Sequence, residues 1–160
     1  MMSDGATATS ELRKVLYTAE ATAEGGRDGR AQSSDGRLEV ELDVPAEMGG
    51  SGGAGTNPEQ LFAAGWAGCF QTVLIGLAAT RELDLTGSRV TARIGLGPRS
   101  GGGFGLSAAL DLDAPEITRA ESAELIGEAH QLCPYSRATR RNIEVSLTVA
   151  GEALEGATDG

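Results

Sequence analysis

TNPEQLFAAGWAGCFQTVLIGLAAT, residues 56–80, decides how the rest of the chain is read. Asn57 is a good N-cap, Pro58 suits the first helical position and Glu59 puts an acid in the first turn, so a helix starts here. From Gln60 to Thr80 it carries no charge, which is long enough to raise the question of a membrane span. Gly65, Gly68 and Gly76 with Gln71 and Thr72 lower its hydropathy, and no basic flank marks one side. The reading is therefore a buried central helix, with no membrane.

Working towards the N-terminus, a Gly-rich connector, GGSGGAGT (49–56), reads as mobile, and before it Leu38, Val40, Leu42 and Val44 alternate up to Pro45. VLYTAEATAE (15–24) alternates more weakly and turns at GGRDGR (25–30), which makes a pair of strands. Towards the C-terminus, SRVTARIGLG (88–97) and FGLSAALDLD (104–113) form a hairpin around PRSGGG. A helix opens near Thr118, carries Leu125, Ala129 and Leu132 on one stripe with Ile126 beside it, and stops at Pro134. Ile143, Val145, Leu147 and Val149 make the last strand. The order ββ-α-ββ-α-β predicts an α+β fold, a mostly antiparallel sheet packed with two main helices.

The 160 residues fit one domain. It is expected over 14–150, between a flexible tail at 1–13 and a flexible acidic tail at 151–160. Thirteen basic against 23 acidic residues give a net charge of −10, and Lys14 is the single lysine, so nucleic acid and anionic membrane surfaces are poor partners. Glycine is 24 of 160 residues without a three-residue period, which excludes collagen. Two cysteines and an N-terminus without a signal-peptide pattern place the chain in a reducing cytoplasm.

Several chemistries drop out on residue type. The glycines before Asn57 lack the Lys and Ser/Thr of a phosphate loop and open no dinucleotide-binding unit, and His130 with two distant cysteines is a poor zinc set. Thiol chemistry survives. Cys69 is by its residues alone either a small apolar filler or a reactive thiol. A reactive Cys69 needs a cation, because 12 residues at about 1.5 Å each put it roughly 18 Å from the helix start, beyond the helix dipole. His130 lies one turn from Cys133 and is a weak candidate, which leaves arginine. Arg27 and Arg30, on a glycine-flanked turn, are either that cation or solvated turn charges. Cys133, the last helical position before Pro134, is either a helix-end residue without a role or a thiol presented at an edge.

VLYTA, GGRDGR followed by SSDG, GGSGGAGTNPEQLFAAGWAGCF, GGGFGL and HQLCPYSRATRRNIEV occur in that order and together resemble the organic hydroperoxide resistance proteins, the hydroperoxide-reducing branch of the osmotically inducible protein (OsmC) superfamily. The resemblance runs from about Lys14 to Val149. It implies an OsmC-like fold in an intertwined homodimer, with Cys69 as peroxidatic cysteine, Cys133 as resolving cysteine, Arg27 stabilising the thiolate and Glu59 orienting that arginine. It further implies organic, including fatty-acid, hydroperoxides as substrates and a disulfide recycled by an external dihydrolipoyl dithiol, dihydrolipoamide or a lipoylated carrier protein, with no bound cofactor and no metal. Trp66, Phe70 and Tyr135 either suit such substrates or are plain core. Trp66 stands where many relatives carry tyrosine and Gly68 where alanine is frequent. Glu59 and Cys69, ten residues apart, lie about 15 Å apart along a straight helix, so the expected dimer has its sites at or near the subunit boundary. Two other classes share the cysteines: a redox-sensing disulfide switch, and an OsmC-type relative acting on a different electrophile.

Overall fold

The structure, a computed structural model, describes residues 11–159. The chain divides between Gly55 and Thr56 into two compact units, where composition led to the expectation of one domain over 14–150. Most of the tail expected at 1–13 lies outside the described residues.

The first unit is a small antiparallel sheet of three strands, β1 (Ala21–Glu24), β2 (Arg30–Ser33) and β3 (Glu39–Glu41), in that order. Sequence alternation suggested two strands. Residues 15–20 carry no strand, while Arg30–Ser33, which begins at the last residue of the GGRDGR turn and lies outside both expected strands, pairs on both sides, with Ala31 opposite both Ala23 and Val40. Arg27 stands on a 3-10 turn, Gly26–Asp28, between β1 and β2. The sequence dictates that turn: Gly25 has φ 77°, and a Cβ on Gly29 would sit 1.7 Å from the Glu24 carbonyl oxygen. The Gly-rich connector is tied down rather than loose. Asp43 accepts a hydrogen bond from the Gly55 backbone N–H, and Gly50 N–H donates to the Pro45 carbonyl at 3.0 Å.

The second unit holds a four-stranded sheet ordered β4 (Arg89–Pro98), β5 (Phe104–Asp113), β6 (Glu144–Val149), β7 (Glu152–Asp159), with helices α1 (Pro58–Thr80), α2 (Arg119–Leu132) and α3 (Pro134–Thr139). The expected hairpin is present, β4 against β5 from Arg89↔Asp113 to Pro98↔Phe104. β5 and β6 run parallel, which needs the long crossover that α2 and α3 supply, so the sheet is mixed. The acidic tail expected at 151–160 is replaced over Glu152–Asp159 by a strand antiparallel to β6. Its polar composition hid it. Ala150 and Gly151, with φ 50° and 80°, make the two-residue turn that starts the pairing.

Asn57 caps α1, its side chain accepting from Gln60 N–H at 2.9 Å, and Pro58 opens the helix as the sequence predicts. Trp66, Phe70, Leu74 and Ala78, four residues apart, form one fully buried row within the core of Leu110, Leu112, Leu125, Ile126, Ala129, Val145 and Val149. The helix is long and apolar enough to cross a membrane by length and composition, and this row is what it buries in the fold. It is not enclosed all round, as its lack of charge suggested: Ala64, Gly68, Thr72, Ile75, Gly76 and Ala79 are exposed. α2 starts with a capping box between Thr118 and Glu121 and buries Ser122, Leu125, Ile126 and Ala129. Leu132, expected on the buried stripe, is half exposed, because the stripe continues through Cys133 one residue on.

Candidate active site

Position 69 falls on the flank of α1 between its buried row at Trp66 and Phe70 and its exposed row at Gly68 and Thr72, which leaves Cys69 half-buried. Cys133 reaches it from the other side. Pro134 cannot continue α2, and the residue before a proline is pushed out of helical geometry. Cys133 accordingly has φ −60° and ψ 127°, closing α2 and opening α3 at one residue. Its backbone is pinned in both directions, N–H to the Ala129 carbonyl at 2.8 Å and carbonyl from Arg137 N–H at 2.9 Å. The side chain is fully buried rather than presented at an edge, because the elbow turns it into the core beside α1.

The two sulfurs are 3.8 Å apart, and both cysteines are free thiols. A disulfide needs about 2.05 Å, so the pair lies one short approach from bonding. Burial pushes the Cys69 thiol above its ordinary value and the neighbouring Cys133 pushes it further, while the Tyr135 backbone N–H works the other way. A thiol raised in this way is a weak nucleophile at neutral pH unless a cation offsets the push.

Around the sulfurs the packing is aromatic. Phe62 meets Trp66 edge-on at 5.5 Å between ring centres and lies tilted to Tyr135 at 6.2 Å. Tyr135 lies against Gly65, where a Cβ would stand 3.4 Å from its ring, so α3 approaches α1 closely at this point. The Trp66 indole N–H donates to the Ser136 hydroxyl at 3.2 Å, both residues being fully buried. Arg140, at the end of α3, donates from Nη2 to the His130 carbonyl at 2.7 Å and ties the elbow shut. His130 is itself buried in the last turn of α2. Ser136, Gly65 and Arg140 escaped the sequence reading. The available signal was the position of Ser136, three residues after a cysteine that caps a proline-started helix.

Of the four residues singled out in the sequence, the structure brings Cys69 and Cys133 together. Glu59 lies in the first turn of α1, which runs unbroken from Pro58 past Cys69. Arg27 belongs to the first unit, on its 3-10 turn, and is partly exposed. Among the described residues no group of three or more His, Cys, Asp or Glu side chains is arranged to hold a metal ion.

The family model for OsmC-like proteins matches residues 49–148. The chain is 52% identical over 138 residues to an organic hydroperoxide resistance protein of Xanthomonas axonopodis pv. citri, covering 86% of this chain and 96% of that one. Among solved structures, the OhrB organic hydroperoxide resistance protein of Bacillus subtilis superposes with a TM-score of 0.78 at 39% identity, over 84% of this chain and 99% of that one. The organic hydroperoxide resistance protein of Elizabethkingia anophelis does so with a TM-score of 0.80 at 46% identity, over 85% and 97%. With the α+β architecture and the facing thiols in place, these likenesses settle the family: the chain belongs to the OsmC-like proteins, in their organic hydroperoxide resistance branch.

Proposed function

We propose that the protein is a cysteine-based peroxidase that reduces organic hydroperoxides, fatty-acid hydroperoxides among them, to alcohols. The observation that carries this reading is the 3.8 Å approach of Cys69 and Cys133, one half-exposed and one buried. The Cys69 thiolate attacks the distal peroxide oxygen, the O–O bond breaks, and the alkoxide takes a proton and leaves as alcohol. Cys69 is then a sulfenic acid. Cys133 sulfur attacks Cys69 sulfur, the S–O bond breaks, water leaves, and a Cys69–Cys133 disulfide remains. An external dihydrolipoyl dithiol, free or on a carrier protein, reduces it by exchange and becomes the cyclic lipoyl disulfide, so no bound cofactor is needed. A reducing cytoplasm suits a centre that starts each cycle as a dithiol.

In this reading Arg27 supplies the cation that offsets the upward push on the Cys69 thiol, and Glu59 orients it. The protein works as a homodimer. Support comes from the uncharged exposed row Ala64, Gly68, Thr72 and Gly76 on α1 and from Leu16 and Tyr17, which are 88% and 77% exposed before β1, surfaces that a second copy would cover. The test is steady-state consumption of a long-chain fatty-acid hydroperoxide and of hydrogen peroxide under dihydrolipoamide recycling. Turnover of the organic substrate, faster than that of hydrogen peroxide and lost in Cys69→Ser, is expected. One oxidation without recycling would instead mark a redox switch.

A further inference from the structure

Trp66 stands three residues before Cys69 on α1, and Ser136 stands three residues after Cys133 on α3. Their hydrogen bond and the sulfur–sulfur contact are therefore opposite sides of one closed frame, whose other sides are a turn of α1 and the first turn of α3. The frame is stiff by construction. An indole has one donor and no acceptor, so the buried Trp66 N–H depends on the Ser136 oxygen. Phe62 fixes the plane of the indole from its edge, and the Tyr135 ring against Gly65 blocks α3 from sliding inward.

We propose that Trp66 and Ser136 are positioning residues for disulfide closure: their hydrogen bond holds the first turn of α3 on α1, so that the Cys133 sulfur faces Cys69 after Cys69 has been oxidised. The proposal rests on the peroxidase reading and adds to it a division of labour. The first step needs only the Cys69 thiolate and the peroxide, whereas the second needs Cys133 sulfur to come from 3.8 Å to about 2.05 Å in line with the breaking S–O bond. A shift of α3 by about 1 Å acts mainly on the second step, because the Tyr135 backbone N–H influences the Cys69 thiol less than burial does, and misplacement on that scale costs up to about a hundredfold in rate.

The experiment mixes the reduced full-length protein with one equivalent of cumene hydroperoxide and quenches it at intervals. Intact mass then counts free thiols, sulfenic acid trapped with dimedone, and disulfide. Ser136→Ala is expected to lose its reduced Cys69 at the wild-type rate but to close the disulfide roughly ten- to a hundredfold more slowly, with dimedone adduct accumulating on Cys69. Trp66→Phe, which keeps a ring and removes the donor, behaves alike and reads the same bond should Ser136→Ala fail to fold. The double variant closes no more slowly than either single one, because the bond is lost only once. Closure at the wild-type rate in both single variants, or equal slowing of both steps as a merely structural role would give, overturns the positioning role. Absence of an intramolecular disulfide in the wild-type protein overturns the peroxidase reading beneath it, and with it the positioning role.

Discussion

Cys133 and Arg27 are held in opposite ways. Cys133 sits at a helix elbow with its backbone pinned on both sides, next to a core row that includes Trp66 and Phe70 and opposite a hydrogen bond closed to solvent. Arg27 stands on a three-residue turn framed by glycines, in a sheet where Leu42 is the one buried residue among those described in the first unit. Packing specifies the first position; backbone geometry specifies the second. The difference matches what the proposed mechanism asks of each group, since a disulfide tolerates little error in length or angle, whereas a cation acts through a field that falls off gently with distance.

The largest effect is expected at the nucleophile. Cys69→Ser should remove hydroperoxide turnover altogether, while Cys133→Ser should consume one equivalent of peroxide per site and stop, as trapping with dimedone and thiol counting would register. A Cys69→Ser protein that still turns over would dissolve the comparison, because the buried elbow would then serve no chemistry. Next comes the packing itself: Phe70→Ala, at a fully enclosed site, is expected to cost about 3–5 kcal/mol in chemical denaturation. Leu42→Ala, in the thinly covered first unit, should cost less than that, and equal losses at the two sites would show that the first sheet is as firmly packed as the second.

Arg27→Ala follows. In the proposed mechanism Arg27 offsets the upward push of burial and Cys133 on the Cys69 thiol, so the thiol is expected to rise without it. The thiolate fraction at any pH below that value falls, so the pH profile of the first oxidation step moves to higher pH and its rate at neutrality drops by on the order of a hundredfold. Disulfide closure should stay at its wild-type rate. This is the mirror image of what Ser136→Ala should do, and the pair of variants separates the two supports. An unshifted pH profile would remove Arg27 from its assigned role.

How much of this was legible in the sequence differs along the same line. α1 announced itself through Asn57, Pro58 and Glu59, α2 through Thr118, its apolar stripe and Pro134, and the β4–β5 hairpin through alternation, because caps, breakers and periodicity are local signals. β2 was missed because Arg30–Ser33 is polar and paired on both sides, and β7 because an acidic segment with small residues gives no alternation to read; both are made by backbone hydrogen bonds, which side-chain pattern does not encode. At the site, Cys69 and Cys133 were found as residues, but their 3.8 Å approach across 64 positions of chain, and the Trp66–Ser136 bond across 70, are products of tertiary packing. The position of Ser136 three residues after Cys133 marks it only once the partner, 70 positions away, is known.

The smallest effect concerns the start of α2, the helix that delivers Cys133 to the elbow. Thr118 and Glu121 satisfy each other's backbone, the Glu121 carboxylate accepting from Thr118 N–H at 2.8 Å and Thr118 Oγ1 accepting from Glu121 N–H at 3.2 Å. The backbone hydrogen bond from Thr118, with its side chain, holds the Glu121 carboxyl below the ordinary value of 4.5. A folded-state value below the unfolded one contributes stability that is present above about pH 4.5 and is lost as the pH falls through the lower folded value. Thr118→Ala removes the N-cap and is expected to cost about 1 kcal/mol at neutral pH; the backbone N–H at 118 remains, so the acid-side fall in stability should be only partly reduced, measured by denaturation at pH 7 and pH 4. The elbow lies at the far end of α2 and is held by its own bonds from Arg140 and Arg137, so disulfide closure should be unchanged in this variant. If closure slowed along with the lost stability, the elbow would be drawing its geometry from the whole helix, and the contrast between a rigid dithiol and a turn-borne arginine would extend back as far as Thr118.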